Sequence, residues 1–235
     1  MEKVVYCVWK PAGRSDQAFA DALRERLVPQ LRERGARWLK LCVVDDAVAP
    51  GARLRLGRMD PPVAGLLSFW LEQSQEVAAC EAAIRDAVAR LAGYLVVESR
   101  PIVNTTQLAA PGARTPGFSL VSCIVPHPDL GYAEFLDRWY RVQRDTAIET
   151  QSTFSYVRNE IVRPLTPGAP AWAAVVEEGF PLGALTDPML FYDAPGDREK
   201  FERNAARMQQ SCQGFLAMDQ VESHPMSEYV FERFA

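Results

Sequence analysis

Near the end of the chain stands Glu222-Ser223-His224-Pro225. In an extended strand alternate side chains share a face, so Glu222 and His224 point the same way. A carboxylate beside an imidazole raises its pKa and orients the ring for general acid–base work, which makes both residues candidate catalytic groups. Pro225 is expected to shorten or bulge the strand there. Glu98 is a third candidate base, mid-strand with Tyr94 and Val96 on its own face. Inside a barrel, burial would lift its pKa toward a general base's range. Tyr156 and Arg158 alternate along one strand with Phe154 and Glu160, a pattern that suits either a cavity wall stabilising an oxyanion or a solvated strand face. Gln143 and Tyr140 share a helix stripe, and Gln143 can hydrogen-bond a substrate carbonyl. Tyr6, Trp70 and Trp172 are further candidates for a binding wall. Glu177 and Glu178 are consecutive, so one must face each side of its strand, with Glu178 expected beside Val176 and Trp172.

Other chemistries lack their residues. The 235-residue chain carries 26 Lys and Arg against 30 Asp and Glu, interspersed, with a net charge of −4. It therefore shows no basic footprint for nucleic acid. No Gly-rich phosphate loop follows a strand, and Gly-x-Ser-x-Gly does not occur. The five cysteines are far apart and odd in number, and there are only two histidines. Neither a disulfide framework nor a metal site is expected. No apolar run approaches the ~20 residues that cross a bilayer, and the N-terminus does not read as a signal peptide. A cytoplasmic location, with no membrane or nucleic-acid partner, is the expectation.

The elements that must position these residues repeat. Val4–Trp9, Trp38–Val44, Leu66–Leu71 and Tyr94–Ser99 read as strands by their β-branched and aromatic content. A helix from Ser15 or Asp16 to Arg34, interrupted near Pro29, follows the first strand. An Ala-rich helix over Val77–Ala92, ended by Gly93, precedes the fourth. Residues 104–117, rich in Pro, Gly and Thr, read as a linker. The order β-α-β-β-α-β then recurs: strand Phe118–Val125, helix Tyr132–Thr150 capped from Asp129, strands Thr153–Val162 and Ala171–Glu178, an irregular insertion over 181–196, helix Arg198–Cys212, and a last strand within Gln220–Phe231. The fold class is thus α+β: two tandem ferredoxin-like units, residues 1–103 and 118–235, packed sheet to sheet as an intramolecular α+β barrel. A cavity is expected between the sheets.

Residues 118–165 resemble the EthD domain, one of the dimeric α+β barrel families. The likeness rests on Val125-Pro126-His127-Pro128-Asp129, on Phe135-Leu136-Asp137-Arg138-Trp139-Tyr140-Arg141-Val142, and on Phe154-Ser155-Tyr156-Val157-Arg158-Asn159-Glu160. Where that family often carries His-x-Pro, this chain has Gln143-Arg144-Asp145. The resemblance implies a range of cofactor-free enzymes acting on aromatic or carbonyl compounds, and more distant barrel relatives that bind haem. Neither His is clearly on a helix, so no cofactor is expected here.

Residues and resemblance together give a leading expectation. It is a cofactor-independent cyclase, isomerase or lyase that moves a proton on a small aromatic or polyketide-like carbonyl compound. The alternative is a non-catalytic protein of the same fold that binds a small apolar ligand. Its partner would be that small molecule, and the chain would be a monomer or homodimer.

Overall fold

The computed structural model describes residues 1–232. Eight strands carry the fold: β1 (Glu2–Trp9), β2 (Arg37–Val43), β3 (Gly65–Leu71), β4 (Arg90–Ile102), β5 (Phe118–Ile124), β6 (Ser155–Pro164), β7 (Ala174–Phe180) and β8 (Glu222–Val230). They close into one antiparallel barrel in the order β1-β3-β2-β8-β5-β7-β6-β4. Each repeat contributes the ferredoxin-like order, β4-β1-β3-β2 and then β8-β5-β7-β6. The repeats meet edge to edge as well as face to face, through β2 with β8 and β4 with β6. Closure gives each of the eight strands a neighbour on both sides.

Both faces of most strands are apolar because both are covered. On β1, Val4, Tyr6 and Val8 pack outward against Phe19, Leu23, Leu27 and Leu31 of the first helix. Val5, Cys7 and Trp9 point inward and meet Val121, Cys123 and Val175 of the second repeat. A third layer joins Ile124, Tyr156 and Val176 to Phe135, Trp139 and Met208 of the second repeat's helices.

The helices are α1 (Asp16–Ala22, Leu23–Leu27 and Val28–Glu33 in one run), α2 (Ala78–Ala87), α3 (Tyr132–Asp137, Arg138–Gln143 and Arg144–Thr150 in one run), α4 (Pro188–Phe191) and α5 (Arg198–Gln213). Ser15 caps α1 by accepting the amide of Ala18. Both α1 and α3 contain a widened middle turn, Leu23–Leu27 and Arg138–Gln143. In α1 the widened turn immediately precedes Val28-Pro29, where the proline has no amide to offer the regular ladder. Glycine 131, rather than Asp129, stands at the N-terminus of α3.

Two local expectations are corrected. The Ala-rich helix ends at Ala87, and residues 90–93 are already strand, paired with Trp9 back to Tyr6 of β1. Pairing with a buried strand overrides the helix propensity of the Leu-Ala pair. Gly93 is therefore a strand residue: a Cβ there would stand 2.4 Å from Cε1 of Tyr6. Pro225 does not shorten or bulge β8, which pairs through it with Leu120 of β5. β2 reaches β8 only from Ser227 onward, so no neighbouring strand requires the amide that Pro225 lacks. Among the described residues no helix is long and apolar enough to cross a membrane.

One end of the barrel interior is charged. Lys3 pairs with Glu98 and donates to Oδ1 of Asn159 at 2.6 Å. Asn159 donates to the carbonyl of Val175 at 3.0 Å and to Glu177 at 3.1 Å. Lys40 lies 2.7 Å from Glu177 and 3.7 Å from Glu228.

Candidate functional site: a pocket on the outer face of the second repeat

A pocket of about 280 Å³ lies outside the barrel, between the second repeat's sheet and its helices. Its floor is the outward face of β5, β6 and β7, with Leu120, Ser122, Tyr156, Val176 and Glu178. Its roof comes from Trp139 and Gln143 of α3 and from Met208 and Cys212 of α5. Phe191 and Tyr192 close one side, and Leu54 and Leu56 of the first repeat close another. In repeat 1's outer layer Tyr6 and Phe69 stack instead, ring centroids 5.9 Å apart, against α1.

Glu178 is the chemical centre of this pocket. Its neighbour Glu177 points into the barrel, so alternation turns Glu178 outward, beneath the helices. No hydrogen bond or ion pair engages its carboxylate, and burial alone pushes its pKa up to about 7. A carboxyl poised there serves as a general base at neutral pH. Tyr156 stands beside it on the floor. The Tyr156 hydroxyl accepts from Trp139 Nε1 at 3.1 Å, which leaves its own proton to donate into the pocket. Burial, with the nearby Glu178 charge, raises the Tyr156 pKa, so it remains a donor. Gln143 accepts from Ser211 at 2.6 Å, and its amide nitrogen lies 3.2 Å from Sδ of Met208. That amide has a second N–H to offer. Burial pushes the Cys212 thiol up to about 12, which leaves it protonated and a poor nucleophile.

The expected site residues are spread over several places. Tyr156 and Gln143 meet in the outer pocket. Glu222 and His224 face inward at the barrel end opposite the charged one. There Glu222 accepts the amides of Arg58 and Met59 at 2.7 and 2.9 Å, and His224 Nε2 lies 3.2 Å away. Contrary to expectation, the His224 pKa is lowered: burial outweighs the carboxylate beside it. Glu98 faces inward at the charged end. Burial raises its pKa, but Lys3 and Arg100 outweigh that and hold it below its usual value, the opposite of the shift expected from sequence. Arg158 and Tyr140 stack on each other at 4.0 Å on the outer side of β6, where Arg158 donates to Ser99 and Tyr140 to Glu160. Tyr6 bonds Glu81 under repeat 1's helices. Trp70 stands at the charged barrel mouth, in an edge contact with Trp38. Trp172 packs on Tyr94 in the barrel interior, not beside Glu178, because it lies ahead of β7, outside its alternation.

Sequence reasoning noticed Glu178 only as one of an alternating pair. Two consecutive acids in an otherwise apolar strand, Ala174–Phe180, were the available signal. No histidine lines the outer pocket: His224 is in the barrel, and His127 lies in the turn after β5, accepting the amide of Asp129. The pocket therefore offers no imidazole as an axial ligand for a haem. Among the described residues, no group of three His, Cys, Asp or Glu is placed to hold a metal ion.

No protein-family model matches the chain, and no curated protein matches it. The likeness to EthD thus stays a likeness of pattern. Solved structures do superpose on the chain. An anthrone oxidase-like protein superposes with a TM-score of 0.54 at 9% identity, over 98% of this chain and 93% of that one. A monooxygenase-like protein from Lactobacillus acidophilus gives 0.48 at 8% identity, over 99% and 97% of the two chains. A dye-decolorizing peroxidase from Bacteroides thetaiotaomicron gives 0.48 at 7% identity, over 97% and 93%. What the chain shares with the anthrone oxidase-like protein is the fold alone.

Proposed function

We propose that the protein is a cofactor-independent enzyme that removes a proton from a small, planar aromatic carbonyl compound held in the outer pocket. The observation that carries this reading is the unpaired, half-buried carboxyl of Glu178 in an aromatic-lined cavity. A planar ring lies between the sheet and Trp139 of the roof, with Phe191 at its side. Glu178, ionised, takes a proton from a carbon or hydroxyl activated by the carbonyl. Negative charge then develops on the carbonyl oxygen, where the Tyr156 hydroxyl and the Gln143 amide donate to it. The protonated Glu178 returns the proton at a second position or to water, which gives an isomerisation, cyclisation or elimination according to the substrate. The reading moves the base from Glu98, Glu222 and His224 to Glu178. The anthrone oxidase-like neighbour is compatible with an aromatic ketone as the ligand, although the likeness to it is one of fold.

Deuterium uptake from D2O into the activated C–H of anthrone tests this. The wild type should accelerate uptake over buffer, and Glu178→Gln should remove most of the acceleration, by about 10²-fold or more. Equal rates with both proteins would overturn the reading. Tight binding with no acceleration would favour the alternative, a carrier or sensor of apolar ligands, for which aromatic walls and one polar anchor suffice.

A further inference from the structure

The charged barrel end opens into a second cavity, of about 390 Å³, which the proposed chemistry does not use. Its inner end is formed by Lys3, Lys40 and Ser68. Strand register sets them side by side: Lys40 lies opposite Ser68, and Lys3 lies opposite Trp70, two residues along β3 on the same face. Ser68 is 2% exposed, and its hydroxyl has no hydrogen-bond partner. A buried hydroxyl without a partner costs free energy, and such a group in a native protein calls for an explanation. Two of the three Lys3 N–H groups are engaged, by Glu98 and Asn159. Lys40 is engaged by Glu177 and, at longer range, by Glu228. Each ammonium therefore keeps a proton to give. The carboxylates of Glu98 and Glu177 stand behind the lysines and do not line the cavity. The two acids that do line it are occupied: Glu228 accepts from Thr115, and Glu232 accepts the backbone amide of Trp38. The inner end thus presents donors. Above it the walls carry an apolar part, Trp38, Trp70, Val157 and Leu108 of the connecting segment, with Arg100, Asn104, Thr105 and Ser155 between.

We propose that the barrel mouth is a second ligand site, which binds a small monocarboxylate with an aromatic or branched apolar body. The carboxylate accepts from Ser68 and from the free N–H groups of Lys3 and Lys40, and the body lies against the two tryptophans. This site is separate from the outer pocket and does not depend on the function assigned there.

The test is a titration of 2-naphthoate followed by the indole N–H resonances of the five tryptophans, assigned with Trp38→Phe and Trp70→Phe. The signals of Trp38 and Trp70 should shift, and those of Trp9 and Trp139 should stay. Ser68→Ala should weaken binding about tenfold, the loss expected of a hydrogen bond to a charged group. The uncharged 2-naphthamide should bind at least as much more weakly. Ser68→Ala is also its own folding control: removing an unpartnered hydroxyl leaves the free protein as stable as before, or more so. No shift of the Trp38 and Trp70 signals at millimolar 2-naphthoate would overturn the proposal. So would equal binding of acid and amide, or an affinity that Ser68→Ala leaves unchanged.

Discussion

Glu177 and Glu178 are neighbours in β7 and titrate in opposite directions. Burial raises both carboxyls. For Glu177 the ammoniums of Lys40, 2.7 Å away inside the barrel, and of Lys3, together with the hydrogen bond from Asn159, outweigh that penalty and hold its pKa down at about 2. For Glu178 nothing offsets the burial, and its pKa rises to about 7. One peptide step across a closed barrel thus separates a fixed structural charge from a group that gains and loses its proton at neutral pH.

The two residues should leave opposite marks on stability. Glu178 has a folded pKa above its unfolded value of about 4.5, so the native state holds the extra proton between those values. Its contribution is greatest below about 4.5 and is lost as pH rises through 7. Glu178→Gln should therefore be more stable than wild type at pH 8, by on the order of 1–3 kcal/mol, with the difference vanishing near pH 4. Glu177 behaves in reverse: its contribution is full above about 4.5 and is lost as pH falls toward 2. Urea melts of the Glu178→Gln variant between pH 4 and 8, and of the Glu177→Gln variant between pH 2 and 6, check the signs.

Removing Lys40 should be severe. Lys40→Met leaves the buried Glu177 without its counter-ion and should cost about 3–5 kcal/mol. Lys40→Met with Glu177→Leu should recover much of that loss, because an apolar pair avoids the buried charge. A double-mutant cycle on urea midpoints measures the recovery.

Gly93→Ala should destabilise by about 1–3 kcal/mol, since the new methyl meets the buried Tyr6 ring and neither can move far. Tyr6→Ala in the same chain should relieve that clash, so the two substitutions should cost less together than the sum of each alone. Thermal melts of the two single variants and the double variant give the comparison.

Glu222 ties down the segment whose Leu54 and Leu56 wall the outer pocket, through the amides of Arg58 and Met59. Glu222→Ala should speed amide exchange at Arg58 and Met59. It should also weaken ligand binding in the outer pocket severalfold, while leaving the pH midpoint set by Glu178 in place. Hydrogen exchange and a binding titration read the two effects.

The α+β barrel and the repeated order of elements were legible in the sequence because strand content, turn residues and helix stripes recur at matching positions. The faces were not. β1 is apolar on both sides, so alternation could place Tyr6 and Cys7 on opposite faces without saying which was inside. Glu98 was read as a raised carboxyl because Lys3, its partner, lies 95 residues away in sequence. Glu222 and His224 were correctly paired, but the amides of Arg58 and Met59 that occupy Glu222 come from the other repeat. Gln143 and Tyr156 reached the pocket because helix and strand periodicity fix their stripes locally. Glu178 was missed as a base because its character comes from the absence of a partner, which only the assembled fold reveals.

The most direct measurement is a ¹³C NMR titration of the glutamate side-chain carboxyls in wild type and Glu178→Gln. One resonance titrating near pH 7, absent from the variant, is the expected result. That resonance should move when an aromatic ketone fills the pocket. A wild-type spectrum in which every glutamate titrates below pH 5 would contradict the assignment of Glu178 as the base.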